Sequence, residues 1–421
     1  MLDRTVAPAF RQIEQVPIKK PEIFQANKDI PFYSIQAGTQ PVIKLELIFN
    51  AGKWLEKKPG NAFFTAKMLR EGAGKWNSYD ISSLFESFGA HLEITPTLDF
   101  TSITIYSLEK CLAELLHVVQ AMIEEPTFPK TELETLKNIQ VQSLRVNNEK
   151  NSFVASKKFR EALFSEKHPY GHILEESDIS SVSTTDLNHH FNKTFFQKPF
   201  TIVASGLFGE TTTQTILDTF REIPIQSSTK IEEYPFDPTH SDVIIDKEES
   251  TQSSIRMGYL SIPMSHLDYA GLLITNEILG GYFGSRLMKN IREEKGLTYG
   301  IYSSLSSLRH STIFSISADV KKELREQALD EIRSEIIRLR AEEVSQEELE
   351  TVRNYMLGQI QASVNTPFAL AAKFKNVHFN GLDYDYYENL IDTIQNITPG
   401  KIVDIANTYL REKEMVQVCV G

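Results

Sequence analysis

Between residues 43 and 49 apolar and polar side chains alternate. Ile43, Leu45, Leu47 and Phe49 are set against Lys44 and Glu46, the period-two pattern of a strand with one face buried. Ile255, Met257 and Tyr259 alternate in the same way with Arg256 and Gly258. The pattern then predicts a helix after each strand, over about 60–70 and 268–279, and further strands near 101–106 and 312–318. Long amphipathic helices follow over 110–124 and 130–147, and again over 321–340 and 346–363. Strands mixed with helices, with alternation of the antiparallel kind, predict an α+β architecture in which helices pack on one face of each sheet.

The two series are copies of each other. ELETLKN at Glu132–Asn138 returns as ELETVRN at Glu348–Asn354, an offset of 216, and FTIVASG ending at Gly206 is answered by MVQVCVG ending at Gly421, an offset of 215. Ile179, Val182, Ser183, Leu187 and Asn192 match Ile394, Ile397, Thr398, Ile402 and Asn407, also at 215. In both copies a Ser or Thr precedes a helical apolar pattern, as an N-cap does. The reading is a duplication of about 210 residues. It gives two homologous domains, 1–225 and 241–421, facing each other as a clamshell. They are joined by a polar linker over 226–240, where Pro235 and Pro238 favour an extended path.

Composition narrows the class without naming a function. Among 421 residues, 44 Lys and Arg face 56 Asp and Glu, a net charge of −12 that argues against a nucleic-acid partner. No apolar run is long enough to span a membrane. The opening MLDRTVAPAFRQIEQ lacks the apolar stretch of a signal peptide and mixes acids with arginines, unlike a presequence. Cys111 and Cys419, far apart in apolar surroundings, read as small buried hydrophobes in a reducing compartment. The expectation is a soluble, cytoplasmic protein.

Several motifs carry a resemblance that covers nearly the whole chain. Phe49-Asn-Ala-Gly52 followed by Pro59-Gly-Asn-Ala62, His168-Pro-Tyr-Gly171, Ser285-Arg-Leu287 and Ile291-Arg-Glu-Glu-Lys-Gly-Leu-Thr-Tyr299 resemble the insulinase/pitrilysin family of zinc metallopeptidases, processing-peptidase-like members included. That family places an inverted H-x-x-E-H motif on its first helix: two His a turn apart ligate zinc and the Glu polarises water. Aligned on that helix, Phe63 stands for the first His, Ala66 for the Glu and Lys67 for the second His. Phe and Ala offer no lone pair and an ammonium repels a dication. The segment Gln142-Ser143-Leu144, where the resemblance places a further Glu ligand, has none. The expectation is a non-catalytic member with no zinc of its own.

Other candidates read as structural. His168 and His172 are four apart, but Pro169 and Gly171 argue against a helix presenting both, so His168 reads as a loop histidine. His189 and His190 read as a surface pair, and Gly280–Gly284 as a tight connection between helices. Arg292, near the end of a helix over 285–294, and Tyr299, early in a strand over 297–303, match the family's second-domain pair. The resemblance gives that Arg the substrate's backbone carbonyl and that Tyr the developing oxyanion.

What these observations imply together is a substrate-binding subunit of a hetero-oligomeric zinc peptidase. A similar-sized catalytic chain would carry H-x-x-E-H and the zinc, and Arg292 and Tyr299 would act across the chamber on extended peptides. Alternatives are an inactive structural or peptide-binding protein resembling core subunits of respiratory complexes, or a homodimeric peptide-binding shell. An acidic chamber would favour basic peptides.

Overall fold

The computed structural model describes residues 16–226, 230–236 and 242–421. The opening segment read for targeting signals, and part of the expected linker, lie outside the described residues. The strands of the two large sheets are β1 (Glu22–Asn27), β2 (Ile30–Gln36), β3 (Val42–Phe49), β4 (His91–Pro96), β5 (Thr101–Leu108) and β6 (Phe200–Gly206), then β7 (Val243–Ile245), β8 (Gln252–Ser261), β9 (Thr298–Ser307), β10 (Thr312–Lys321) and β11 (Val416–Val420). They form one sheet in the order β1-β2-β6-β3-β5-β4 and another in the order β7-β11-β8-β10-β9. Both sheets are antiparallel except at one pair each, β2 with β6 and β7 with β11. With β1 set aside, the two orders are the same, strand for strand, as a duplication requires.

The matched terminal glycines close equivalent strands. Gly206 has φ +140° and Gly421 φ +131°, and a Cβ would fall 2.1 Å from the Val42 carbonyl oxygen in one and 2.0 Å from that of Gln252 in the other. Only glycine fits either place.

The helices used below are α1 (Asn61–Met68), α2 (Leu112–Glu124), α3 (Lys130–Asn148), α4 (Asn151–Phe164), α5 (Thr184–Thr194), α6 (Tyr269–Asn276), α7 (Arg325–Ala341), α8 (Gln346–Ala362), α9 (Pro367–His378) and α10 (Pro399–Tyr409). Ser183 and Thr398 cap α5 and α10, their side chains accepting from the Asp186 and Lys401 amides. The apolar stripes of α2 and α7 cover the sheets of their own halves. Ile43, Leu45, Leu47 and Phe49 pack with Leu115, Leu116 and Val119 of α2, and Ile255, Met257 and Ile316 with Ile332 and Ile336 of α7.

The opposite faces are covered too, by a reciprocal exchange that the sequence pattern did not announce. α4, from the first half, lies on the second sheet, burying Ala155, Phe159, Ala162 and Leu163 against Val416, Val418 and Val420 of β11. α9, its counterpart 216 residues later, lies on the first sheet with Leu370, Ala371 and Phe374 against Ile35, Ile48 and Val203. Each fully buried Leu or Phe contributes about 1.5–3 kcal/mol, so these contacts hold the halves together. The half-buried reading of β3 is corrected here: Glu46 is only 3% exposed, and its carboxylate pairs with Lys44 at 3.0 Å and with Lys375 of α9. A buried carboxylate beneath another element needs such partners, and two ammoniums supply them.

The turns between β4 and β5 and between β9 and β10, equivalent in the repeat, also meet. The Arg309 amide donates to Asp99 at 3.3 Å across 210 residues, and its guanidinium donates to Asn50 Oδ1 at 2.6 Å while lying 5.2 Å from the Phe100 ring centre. Among the described residues no helix is long and apolar enough to cross a membrane.

Candidate functional site

α1 carries the degenerate motif. Gly60 in the left-handed region opens the helix, and the Glu56 carboxylate accepts from the Ala62 amide at 3.2 Å, satisfying one of its free N-terminal donors. Ala66 is fully buried; Phe63 is half-buried, edge-on to Phe64 with ring centres 5.3 Å apart. Lys67 turns its ammonium to the carbonyl of Ile94 on the edge strand β4, at 2.8 Å. Desolvation lowers its proton affinity, partly offset by Glu93. On α3, Gln142 and Ser143 are exposed and Leu144 is buried. Among the described residues no group of three or more His, Cys, Asp or Glu is placed to hold a metal ion. The donor set of α1 does not fit zinc: an aromatic ring, a methyl group and a cation occupy the three positions.

Arg292 and Tyr299 come together in the second half. The predicted helix over 285–294 is π-helical across Met288–Glu294, and the expected helix over 268–279 is α6 continued by a π-helical turn, Glu277–Gly281. The wider winding puts Arg292 at the end of its element, where Nε donates to the Tyr299 carbonyl at 3.0 Å. Its guanidinium lies 4.7 Å from the ring centre of Phe283, in the Gly280–Gly284 connection, and 3.7 Å from the Glu293 carboxylate. The Tyr299 side chain is 92% exposed. The result is a cation fixed by a carbonyl and a ring, beside a phenol free to donate. All these partners lie in the second half, and none belongs to α1.

The motif histidines are structural. His168 is buried, its Nδ1 accepts from the Tyr170 amide at 3.0 Å, and burial lowers its pKa to about 4. Tyr170 donates to Asp99, the carboxylate that also receives the Arg309 amide, so the HPYG segment braces the junction of the halves. The surface reading of His190 is overturned. Leu187, His190, Phe191 and Thr194 form the buried stripe of α5, and desolvation lowers the His190 pKa to about 4 despite a hydrogen bond to the Ala51 backbone. His189, its neighbour, is exposed. The described part of the expected linker is docked: Trp54 Nε1 donates to the Glu232 carbonyl at 2.7 Å, and Tyr234 stands edge-on to Trp54 at 5.1 Å. Cys111 and Cys419 are free thiols and buried.

Sequence reading passed over Trp54, Asp99, Arg309 and His310, the last stacked on Trp54 at 3.9 Å. No sequence signal marked them: Asp99 and Arg309 lie 210 apart, off the 215–216 offset of the repeat, although the turns they occupy are equivalent in the two sheets.

Comparison with known proteins decides the family. The profile described as Insulinase (Peptidase family M16) matches residues 32–176, and that described as Peptidase M16 inactive domain matches residues 181–356. The chain belongs to the M16 insulinase family. This M16 homologue is 22% identical to the "Non-peptidase homolog YmxG" of Helicobacter pylori, over 98% of the chain and 96% of that protein. Its fold matches the crystal structure of a peptidase M16 inactive domain from Pseudomonas fluorescens, TM-score 0.85 at 24% identity, covering 95% and 98% of the two chains. It also matches a chain of complex III2 from Candida albicans, TM-score 0.75 at 14% identity, covering 96% of each. This M16 homologue is therefore of the inactive kind, with a two-domain peptidase-like fold.

Proposed function

We propose that this chain is the non-catalytic, substrate-binding subunit of a hetero-oligomeric zinc peptidase, its domains spanning 1–225 and 241–421. A catalytic partner of similar size carries H-x-x-E-H and the zinc. This chain supplies Arg292 and Tyr299, the first to hold a substrate backbone carbonyl and the second to donate to the oxyanion. The observation that carries the reading is the asymmetry between halves. α1 presents Phe63, Ala66 and Lys67, whereas Arg292 is oriented by Phe283 and the Tyr299 carbonyl beside an exposed phenol. An extended peptide bound largely through its backbone suits such a pair, and the reducing interior of the cytoplasm suits two free thiols.

The test is reconstitution. Mixing the chain with a similar-sized M16 protein that carries H-x-x-E-H should raise cleavage of a quenched peptide, and Arg292→Ala or Tyr299→Phe should remove about tenfold or more of that gain. No gain with any such partner, or full gain with both variants, refutes it. A second reading draws on the likeness to the complex III2 chain: a structural or peptide-binding protein with no part in hydrolysis. Co-purification with a large assembly, without any peptidase gain, supports that reading instead.

A further inference from the structure

The helical layer of the second half holds a polar cavity of about 430 Å³, bounded by the π-helical segment Met288–Glu294, by α7 and by the start of α8. Neither Arg292 nor Tyr299 lines it. Its inner wall is a network of charged groups. Arg286 Nε and Nη2 donate to the two carboxylate oxygens of Glu348, each at 2.9 Å. Asn290 Nδ2 donates to Glu335 Oε1 at 2.8 Å, and the Arg338 guanidinium lies 3.9 Å from the same oxygen. Two atoms of the network are left over: Arg286 Nη1 and Glu335 Oε2 are buried and find no hydrogen-bond partner among the described residues. Glu335 is only 5% exposed, so bulk water does not serve its second oxygen. Lys289, Glu294 and Glu347 stand exposed on the rim.

We infer that this cavity binds a small neutral polyhydroxyl compound, the size of one sugar ring. Charges of both signs are interleaved around it, so an anion or a cation would meet like charges as well as opposite ones. What the wall calls for is hydrogen bonding in both directions. Arg286 Nη1 can only donate and the ionised Glu335 Oε2 can only accept, whereas each hydroxyl of a polyol does both. Arg286 and Glu335 line the cavity, so their spare atoms lie one side-chain rotation from a ligand. Two hydroxyls of the lining are complementary in the same sense. Ser345 Oγ accepts from the Glu348 amide at 3.1 Å and keeps its proton to give; Thr351 Oγ1 donates to the Glu347 carbonyl at 2.8 Å and keeps lone pairs to receive. Tyr282, half-buried with its ring centre 5.0 Å from that of Tyr355, supplies an apolar wall for the C–H face of a sugar ring. This inference rests on the second half alone and on neither the zinc partner nor Arg292.

The test uses the full chain with D-glucose as the probe, binding being followed by calorimetry and by saturation-transfer NMR. We expect saturable binding with a Kd of about 1–10 mM. Glu335→Gln, which puts a donor in place of the accepting oxygen at the same size, and Tyr282→Ala should each weaken it about tenfold at an unchanged melting temperature. Thr351→Val, an exposed change on α8, should weaken it about threefold and reads the site even where a variant of the inner wall does not fold. No saturable binding at about 100 mM glucose, or equal binding of tetrahydropyran, which has the ring without the hydroxyls, overturns the proposal. Unchanged binding in every folded variant overturns the location. Binding of glucosamine or glucuronate about tenfold tighter than that of glucose overturns the assignment to a neutral ligand.

Discussion

The exchanged helices make a prediction that separates one cooperative unit from two. Phe159 belongs to α4 of the first half yet is 5% exposed against the second sheet, so close to β8 that a Cβ on Gly258 would lie 3.0 Å from its ring. Phe159→Ala removes its buried ring and leaves a cavity, a loss of about 3–5 kcal/mol. The shift in melting temperature depends on how much chain unfolds together. At about 2.1 cal/mol/K per residue, all 421 residues carry an unfolding entropy of about 0.9 kcal/mol/K, so a single transition moves down by about 3–6 °C. One half melting alone has about half that entropy, and its transition would move by about 7–11 °C while the other stayed in place. Scanning calorimetry reads both quantities. Phe374→Ala, the counterpart on α9, should reproduce the shift of Phe159→Ala, since Phe374 is also 5% exposed and packs on the other half's sheet. Two resolved transitions with only one displaced would refute the view that the exchange welds the halves.

Two further perturbations test the buried charges. His168 and His190, ordinarily near pKa 6.5, are held down to about 4, so the native state stays neutral where the unfolded chain takes up protons. Their contribution is therefore intact above about pH 6.5 and lost progressively as pH falls to about 4, up to about 3 kcal/mol each; melting temperature against pH should show the fall, and His190→Gln should shrink its slope by about half. At the Glu46 ion triad, Lys375→Met leaves a buried carboxylate with one partner in place of two and should cost about 3–5 kcal/mol in urea unfolding, whereas Glu46→Leu combined with Lys375→Met should restore most of it. A double variant no more stable than the single one would show that Lys375 acts through packing.

How much of this was legible in the sequence depends on whether a residue's partners are local. The strand β3 and the caps Ser183 and Thr398 were legible because each reflects a local rule: a period of two, a hydroxyl ahead of a helix. Gly206 and Gly421 were legible only as matching ends of the repeat, since the carbonyls that exclude a Cβ, of Val42 and Gln252, belong to distant strands. The other face of β3 was not, because Lys44 and Glu46 have the polarity of a solvent-facing row, and nothing local says that Lys375 arrives from 329 residues away. His190 misled for a related reason. Adjacent histidines on a helix point in different directions, and only the stripe of Leu187, Phe191 and Thr194 tells which one is buried. Of the candidate site, the motif named two residues but not their setting. Arg292 and Tyr299 could be picked out by their motif, but the residue that orients Arg292 is Phe283, inside a glycine-rich turn that reads as a mere connection, and the π-helical winding that brings them together has no simple sequence signature. The repeat was the exception that carried long-range information. Copies placed so that α4 and α9 exchange sheets, and so that Asp99 meets Arg309 across equivalent turns, are what a two-fold relation between duplicated halves produces. The repeat by itself says which elements resemble each other; which of them touch is set by how the halves dock, seen in the exchange of α4 and α9.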